Sequence, residues 1–414
     1  MSKWTKRTLG DISDSCLGKM LDKKKNKGDL YLYLANYNVR WGEFDLNHLK
    51  EMRFEDHEHE RYGLEYGDLV ICEGGEPGRC AVWRDELSDM KIQKALHRLR
   101  VKKGFDYNFL FYRMLLAHRT GELSNYFIGS TIKHLTGVSL RQVEFEFPNL
   151  KTQTSIASIL RLLDKKIELN NQINTELEAM AKTLYDYWFV QFDFPDADGQ
   201  PYKSSGGKMV YNEVLKREIP EGWAAEKLSE NLSIGSGYSF NSREYTTSGT
   251  YKIITIKNVQ DYGLTTDNTD FVDRIPDKIP DYCKLEKGDI LISLTGNVGR
   301  LCIVNEDNLL LNQRVGKFLC KDTLKVYFYL LFLRPESRMR LENIATGSSQ
   351  KNLSPIDTVN LYQALPSEGT ILNFNSRVAS IFESILNNSV ENQQLSSLRD
   401  WLLPMLLNGQ VTVK

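Results

Sequence analysis

The chain repeats itself. Gly67-Asp68-Leu69-Val70-Ile71, running to Gly78-Arg79, returns as Gly288-Asp289-Ile290-Leu291-Ile292, running to Gly299-Arg300, displaced by 288 − 67 = 221 residues. The echo reaches both ends of each half. Trp4 and Leu9 match Trp223 and Leu228, Asn38-Val39 matches Asn258-Val259, and Gln93 matches Gln313. Gly129-Ser130 with Lys133 and Leu135 matches Gly347-Ser348 with Lys351 and Leu353, and Pro148 matches Pro366. Two copies of a roughly 200-residue unit in one polypeptide make a pseudo-two-fold object, which most naturally meets something with two ends.

Within each copy a mixed globule precedes a long helix. Residues 1–149 combine β-rich runs, such as Tyr31 to Leu34 and Leu69 to Cys72, with a helical stretch near Tyr107 to His118. From 150 to 192 the apolar and amide positions Ile156, Leu160, Leu163, Ile167, Asn170, Asn174, Leu177, Ala181 and Leu184 alternate by fours and threes. Residues 193–222, with Ser204-Ser205-Gly206-Gly207, read as a connecting loop. Residues 223–366 repeat the globule. Residues 367–414 repeat the helix, with Asn388 and Asn392 at the places of Asn170 and Asn174. The fold class expected is therefore α/β (α+β): two similar globules joined by two long antiparallel helices in a coiled coil. About 35 residues give a rod roughly 50 Å long, with the globules at opposite ends. The competing arrangement has each helix simply covering its own globule.

With 414 residues, 41% hydrophobic and 26% charged, the chain has the composition of a soluble globular protein of two to three domains. Its longest apolar run, Val326 to Leu333, falls far short of the ~20 residues needed to cross a bilayer, and no membrane association is expected. The start, Met1 to Arg7, lacks the apolar core of a secretory signal, so a cytoplasmic location is expected. The six cysteines never form a two-residue-gap pair and read as buried reduced thiols. A net charge of −1 argues against a freestanding nucleic-acid binder, so phosphate contacts must be local or shared with partner subunits.

Gly74-Gly75-Glu76-Pro77-Gly78 lacks the Gly-Lys-Ser/Thr ending of a phosphate loop, as does its counterpart Thr295-Gly296-Asn297-Val298-Gly299. Both read as tight turns between strands. His57-Glu58-His59-Glu60 has no equivalent in the second half and reads as an exposed loop rather than a metal site. No Asn-Pro-Pro-aromatic run and no recurring Ser-His-Asp or Cys-His set gives catalysis a seat.

The basic and amide-bearing positions say more. Lys19, Lys23, Lys24 and Lys25 form a cationic run suited to phosphates, whereas the same region of the second copy carries Tyr238 and Arg243. Scaffold residues repeat while loop residues differ, as expected of two related modules that read two different short sequences. Arg, Lys, Asn and Gln pair with base edges in the major groove. The candidates are Arg40, Arg79, Gln93 and Lys133 in the first module, and Asn297, Arg300, Gln313, Arg314, Gln350 and Lys351 in the second. Arg79 and Arg300 recur in both copies, which also fits a structural role.

The junction carries a resemblance. Tyr187-Trp188-Phe189-Val190, Phe192-Asp193-Phe194, Pro201 to Val210 and Glu218-Ile219-Pro220-Glu221-Gly222-Trp223 resemble the central region of type I restriction-modification specificity subunits. The likeness covers essentially the whole chain, including the Gly-Asp-Ile/Leu hairpins and the Leu-Leu-Asn-Gly run near the carboxyl terminus. It departs in the lead into each long helix, Phe147 to Gln153 and Leu365 to Gly369, where the family often has Pro-Pro-Leu-x-Glu-Gln.

The resemblance implies two target recognition domains, each reading one half of a bipartite double-stranded DNA site. It also implies a helix pair that sets half-site spacing and docks modification (methyltransferase) subunits, two being expected. No cofactor would bind this chain directly. S-adenosylmethionine would sit on the modification subunits, and ATP and magnesium on restriction (translocase/endonuclease) subunits. The chain would then be a non-catalytic subunit. The competing readings are a stand-alone sequence-specific DNA-binding regulator and a self-contained nuclease or methyltransferase.

Overall fold

The computed structural model describes residues 4–22, 26–261, 263–266, 269–348, 350–411 and 413. The chain divides into two compact units, Met1–Ile167 with Leu395–Lys414, and Glu168–Gln394. The expected mixture of helix and sheet, duplicated, is what is found.

The buried strand Leu69–Cys72 explains the layering of the first unit. Successive side chains of a strand point to opposite faces. Leu69 and Ile71 enter one core with the helix Tyr107–Arg119, while Val70 and Cys72 enter another with Leu34, Trp83 and Ile92. An unbroken apolar run is thus the signature of a strand covered on both sides. It belongs to a four-stranded antiparallel sheet ordered Ser13–Leu17, Leu96–Val101, Leu69–Cys72, Cys80–Val82. A smaller sheet places Asp29–Leu34 between Lys50–Phe54 and Lys91–Ile92, the latter pairing parallel. Thr5–Thr8 pairs with Glu144–Phe147.

The second unit repeats this plan. Its central sheet is ordered Ser233–Ser236, Val315–Leu319, Ile290–Ser293, Leu301–Ile303, with Ile290 and Ile292 in one core and Leu291 in the other. Tyr251–Ile254 lies between Phe271–Val272 and Leu309–Leu311, and Ala224–Lys227 pairs with Tyr362–Leu365. Both Gly-Asp turns carry a buried carboxylate. Asp68 accepts two bonds from Arg100, at 2.8 and 2.7 Å, and Asp289 pairs with Lys317 at 2.6 Å.

The two long helices run Leu150–Tyr185 and Glu368–Leu407. Asn149 caps the first by accepting from the Thr152 amide at 2.9 Å, and Ser367 caps the second by accepting from Thr370 at 3.2 Å. In the first unit Ile156 and Leu160 share a core with Leu403, Leu406 and Leu407, and Arg399 donates to Asp164 at 2.8 Å. In the second unit Asn170 donates to Asn392 at 2.9 Å, and Asn388 to Asn174 at 2.8 Å. Partner numbers fall as residue numbers rise, so the helices are antiparallel. The seam asparagines satisfy one another, which fixes register where an apolar seam could slip.

The segment 193–222 differs from the plain loop expected. It contains a hairpin, Met209–Asn212 with Arg217–Pro220. Phe194 stacks on Tyr202 at 4.8 Å and on Trp223 at 5.2 Å, and Asp193 accepts from the Ser204 amide and hydroxyl. Its glycines and serines close turns around aromatic anchors that compositional reading overlooks.

Glu178 lies one turn along the seam from Asn174. Burial alone pushes its carboxyl up to about 7. A carboxyl raised above its unfolded value destabilises the fold as pH climbs from that value through the folded one. Glu178→Gln is therefore expected to add about 2 kcal/mol of stability at pH 8 after allowing for solvent screening, and nothing at pH 4. Melting curves at the two pH values check this; equal gains at both would exclude it.

Candidate nucleic-acid interface

In each unit five chain segments are laced by backbone hydrogen bonds into one edge. The organising residue is a buried asparagine. Asn38 accepts from the Ala35 amide at 2.9 Å and donates to the Asp45 carbonyl at 2.8 Å; Asn258 accepts from Thr255 and donates to Thr265, both at 2.8 Å. The turn it closes ends the strand and projects residues 36–37, or 256–257. Beside it run the Gln93 amide bonded to Leu34 and the Asn312 amide bonded to Ile254, both at 3.0 Å. The Gly-rich hairpin joins through Glu73 to Ala95 at 2.9 Å and Leu294 to Arg314 at 3.0 Å. A fourth segment joins through Leu135 to Glu73 and Leu353 to Leu294, both at 2.7 Å.

The fifth segment closes the edge. Lys19 bonds through its amide to Ile92 at 3.0 Å, and Tyr238 to Leu311 at 2.8 Å. Glycine is required just before each. A Cβ on Gly18 would stand 2.5 Å from the Gln93 carbonyl oxygen, and one on Gly237 2.2 Å from that of Asn312. Gly129 and Gly347 are needed for a second reason, since φ of +106° and +102° closes the fourth segment on itself.

The structure sorts the candidate side chains. Lys133, Arg243, Asn297, Gln313, Arg314, Gln350 and Lys351 are exposed at this edge or on the segments leading from it, while Gln93 and Tyr238 are half-buried. Arg40 is exposed and leans on Asp45 at 3.7 Å. Gln313 and Arg314 border a cleft of about 580 Å³ shared with Tyr245, Lys257 and Asn312.

Three candidates point elsewhere and are corrected. Lys19 is buried: its ammonium donates to the Arg53 carbonyl at 2.9 Å, pairs with Glu58 and lies over the Phe54 ring, leaving no face for a phosphate. Arg79 donates to Glu76 and to the Asn36 carbonyl and side chain, each at 3.1 Å. Arg300 donates to Gln260 at 2.9 Å and lies 3.6 Å from Asp261. Arg79 braces the hairpin against the asparagine turn, and Arg300 braces it against the strand that leaves the equivalent turn. Lys23, Lys24 and Lys25 lie outside the described residues.

Several residues at the edge carried no signal strong enough to single them out. Tyr37 is 45% exposed with Lys50 over its ring, and Lys94 and Lys257 are exposed beside Gln93 and Asn258. Proximity to those repeated residues was the available clue. Glu55, His57 and Glu58 approach one another, but the Glu58 carboxylate is committed to Lys19 and to the Glu55 amide. Among the described residues no helix is long and apolar enough to cross a membrane.

The family model described as the type I restriction modification DNA specificity domain matches residues 1–179 and 220–396. The MjaIX specificity subunit of a type I restriction enzyme from Methanocaldococcus jannaschii is 26% identical over 84% of this chain and 78% of its own length. The HindI specificity subunit of a type I restriction enzyme from Haemophilus influenzae is 23% identical over 99% of this chain and its full length. The S subunit of a type I restriction-modification system from M. genitalium superposes with a TM-score of 0.54 at 18% identity, covering 98% of this chain and 96% of that one. That likeness bears on the fold alone.

Proposed function

The chain belongs to the type I restriction-modification DNA specificity family, and we propose that each of its two units reads one half of a bipartite double-stranded DNA site through the edge described above. The observation that carries this is the duplicated edge with different side chains. The lacing is the same in both units, yet the place of Asn36-Tyr37 is taken by Ile256-Lys257, that of Gly74 to Pro77 by Thr295 to Val298, and that of Lys94-Ala95 by Gln313-Arg314. Direct readout depends on side-chain type at fixed backbone positions, so this arrangement suits two unlike half-sites.

The antiparallel helix pair sets the spacing between half-sites and holds two methyltransferase subunits. The chain itself is non-catalytic. Its partners carry the chemistry: S-adenosylmethionine on the modification subunits, ATP and magnesium on the restriction subunits. A near-neutral chain can work this way because its partners share the phosphate contacts.

Deleting seven residues from each long helix, at positions paired across the seam, preserves the heptad while shortening the pair by about 10 Å. The methylated site is then expected to lose about three base pairs of spacer with both half-sites unchanged. Mapping modified bases in cells expressing the variant and its partners reads this directly. An unaltered spacer would sink the ruler.

A further inference from the structure

Three arginines meet in the second unit, and among the described residues only Arg334 of the three pairs with carboxylates. Arg217, on the connector hairpin, Arg334, just before the helix Pro335–Ile344, and Arg340, within that helix, line one recess of about 560 Å³. Arg334 is held by Asp186 at 3.2 Å and Glu336 at 3.1 Å. Arg340 donates to the Gln363 side chain at 3.2 Å and to the Tyr362 carbonyl at 2.7 Å. Arg217 lies over the Phe192 ring, 5.4 Å from its centre, with no carboxylate partner among the described residues. Burial, and then the neighbouring guanidinium, lowers the pKa of both Arg217 and Arg340: Arg334 repels the first and Arg217 the second. No side chain caps the helix that begins at Pro335, and its first residues Glu336 and Ser337 border the same recess. Such a helix start favours an anion.

The surroundings choose between anions. Glu336 lines the recess, and Glu213 and Glu218 are exposed on the hairpin that carries Arg217, with Lys216 paired to Glu213 at 2.8 Å; this mixed charge offers a duplex, with about one charge per 1.7 Å, no basic track to follow. Val214 and Tyr362, on the lining, are 56% and 41% exposed. An apolar and aromatic rim around partly desolvated arginines is the composition of a protein–protein anchor site. We propose that this recess is a docking pocket for the methyltransferase partner, and that it receives a single Asp or Glu side chain of that subunit on Arg217 and Arg340. This rests on the reading that the chain works with such a subunit.

The test is the affinity of the full chain for its methyltransferase subunit, measured beside the affinity of the chain alone for duplex DNA. Arg217→Met replaces the guanidinium over Phe192 with an unbranched apolar side chain, and is expected to weaken subunit binding about tenfold with little change in melting temperature. Arg217→Glu combined with Arg340→Glu is expected to weaken it about a hundredfold, with duplex affinity unaltered. Unchanged subunit affinity in the Met variant overturns the pocket, and so does a loss confined to duplex affinity, which would assign the arginines to phosphates. Failure of the unaltered chain to bind the subunit would overturn the partner reading itself, and the pocket with it.

Discussion

Asp289→Ala is expected to cost the second unit about 3–5 kcal/mol, the range for stranding one member of a buried ion pair. The Asp289 and Lys317 side chains are 6% and 12% exposed, and the carboxylate also accepts from the Glu286 amide at 2.8 Å, closing the Gly-Asp turn. Removal leaves an ammonium between strands and opens the turn together. The matching Asp68→Ala should cost less, about 2–3 kcal/mol, because Arg100 keeps Glu65 at 2.7 Å and is 30% exposed. Both variants are checked by hydrogen exchange at the central strands, Ile290–Ser293 and Leu69–Cys72, which separates two units that need not unfold together. Equal losses at both sites would show that partner burial does not set the difference.

Gln313→Ala with Arg314→Ala is expected to lower affinity for the cognate duplex about a hundredfold, since each bidentate base contact is worth about 1–3 kcal/mol of discrimination. Both side chains are exposed on the turn whose amides bond to Ile254 and Tyr238, so truncation removes reading groups without touching the core. Competition binding with the cognate site and with a site altered in one half checks this. A uniform loss on every sequence, with a shallower salt dependence, would make them phosphate contacts instead.

The sequence disclosed whatever the backbone demands. The paired Gly-Asp turns, the asparagines Asn38 and Asn258, and the glycines Gly129 and Gly347 recur because each answers a conformational requirement that both copies share. The helix seam was legible for a similar reason: its period of threes and fours reflects one buried face, and Asn170 and Asn392 mark where that face turns polar. Side-chain direction was not legible. Lys19 begins a lysine run, yet the close approach of Gly18 to Gln93 sends its ammonium inward to Glu58. Arg79 and Arg300 have the chemistry of base readers but bond instead to the asparagine turn and to the strand that follows it. The recess of Arg217, Arg334 and Arg340 is assembled from two segments more than a hundred residues apart, and no local pattern announces it.

The two units are expected to read their two half-sites independently. The most direct measurement is sequencing of methylated DNA from cells that express the methyltransferase subunit with either the unaltered chain or the Gln313→Ala, Arg314→Ala variant. The expected result is an interrupted two-part site for the unaltered chain, and for the variant the same spacer and one intact half beside one relaxed half. A continuous site, or relaxation of both halves together, would contradict it.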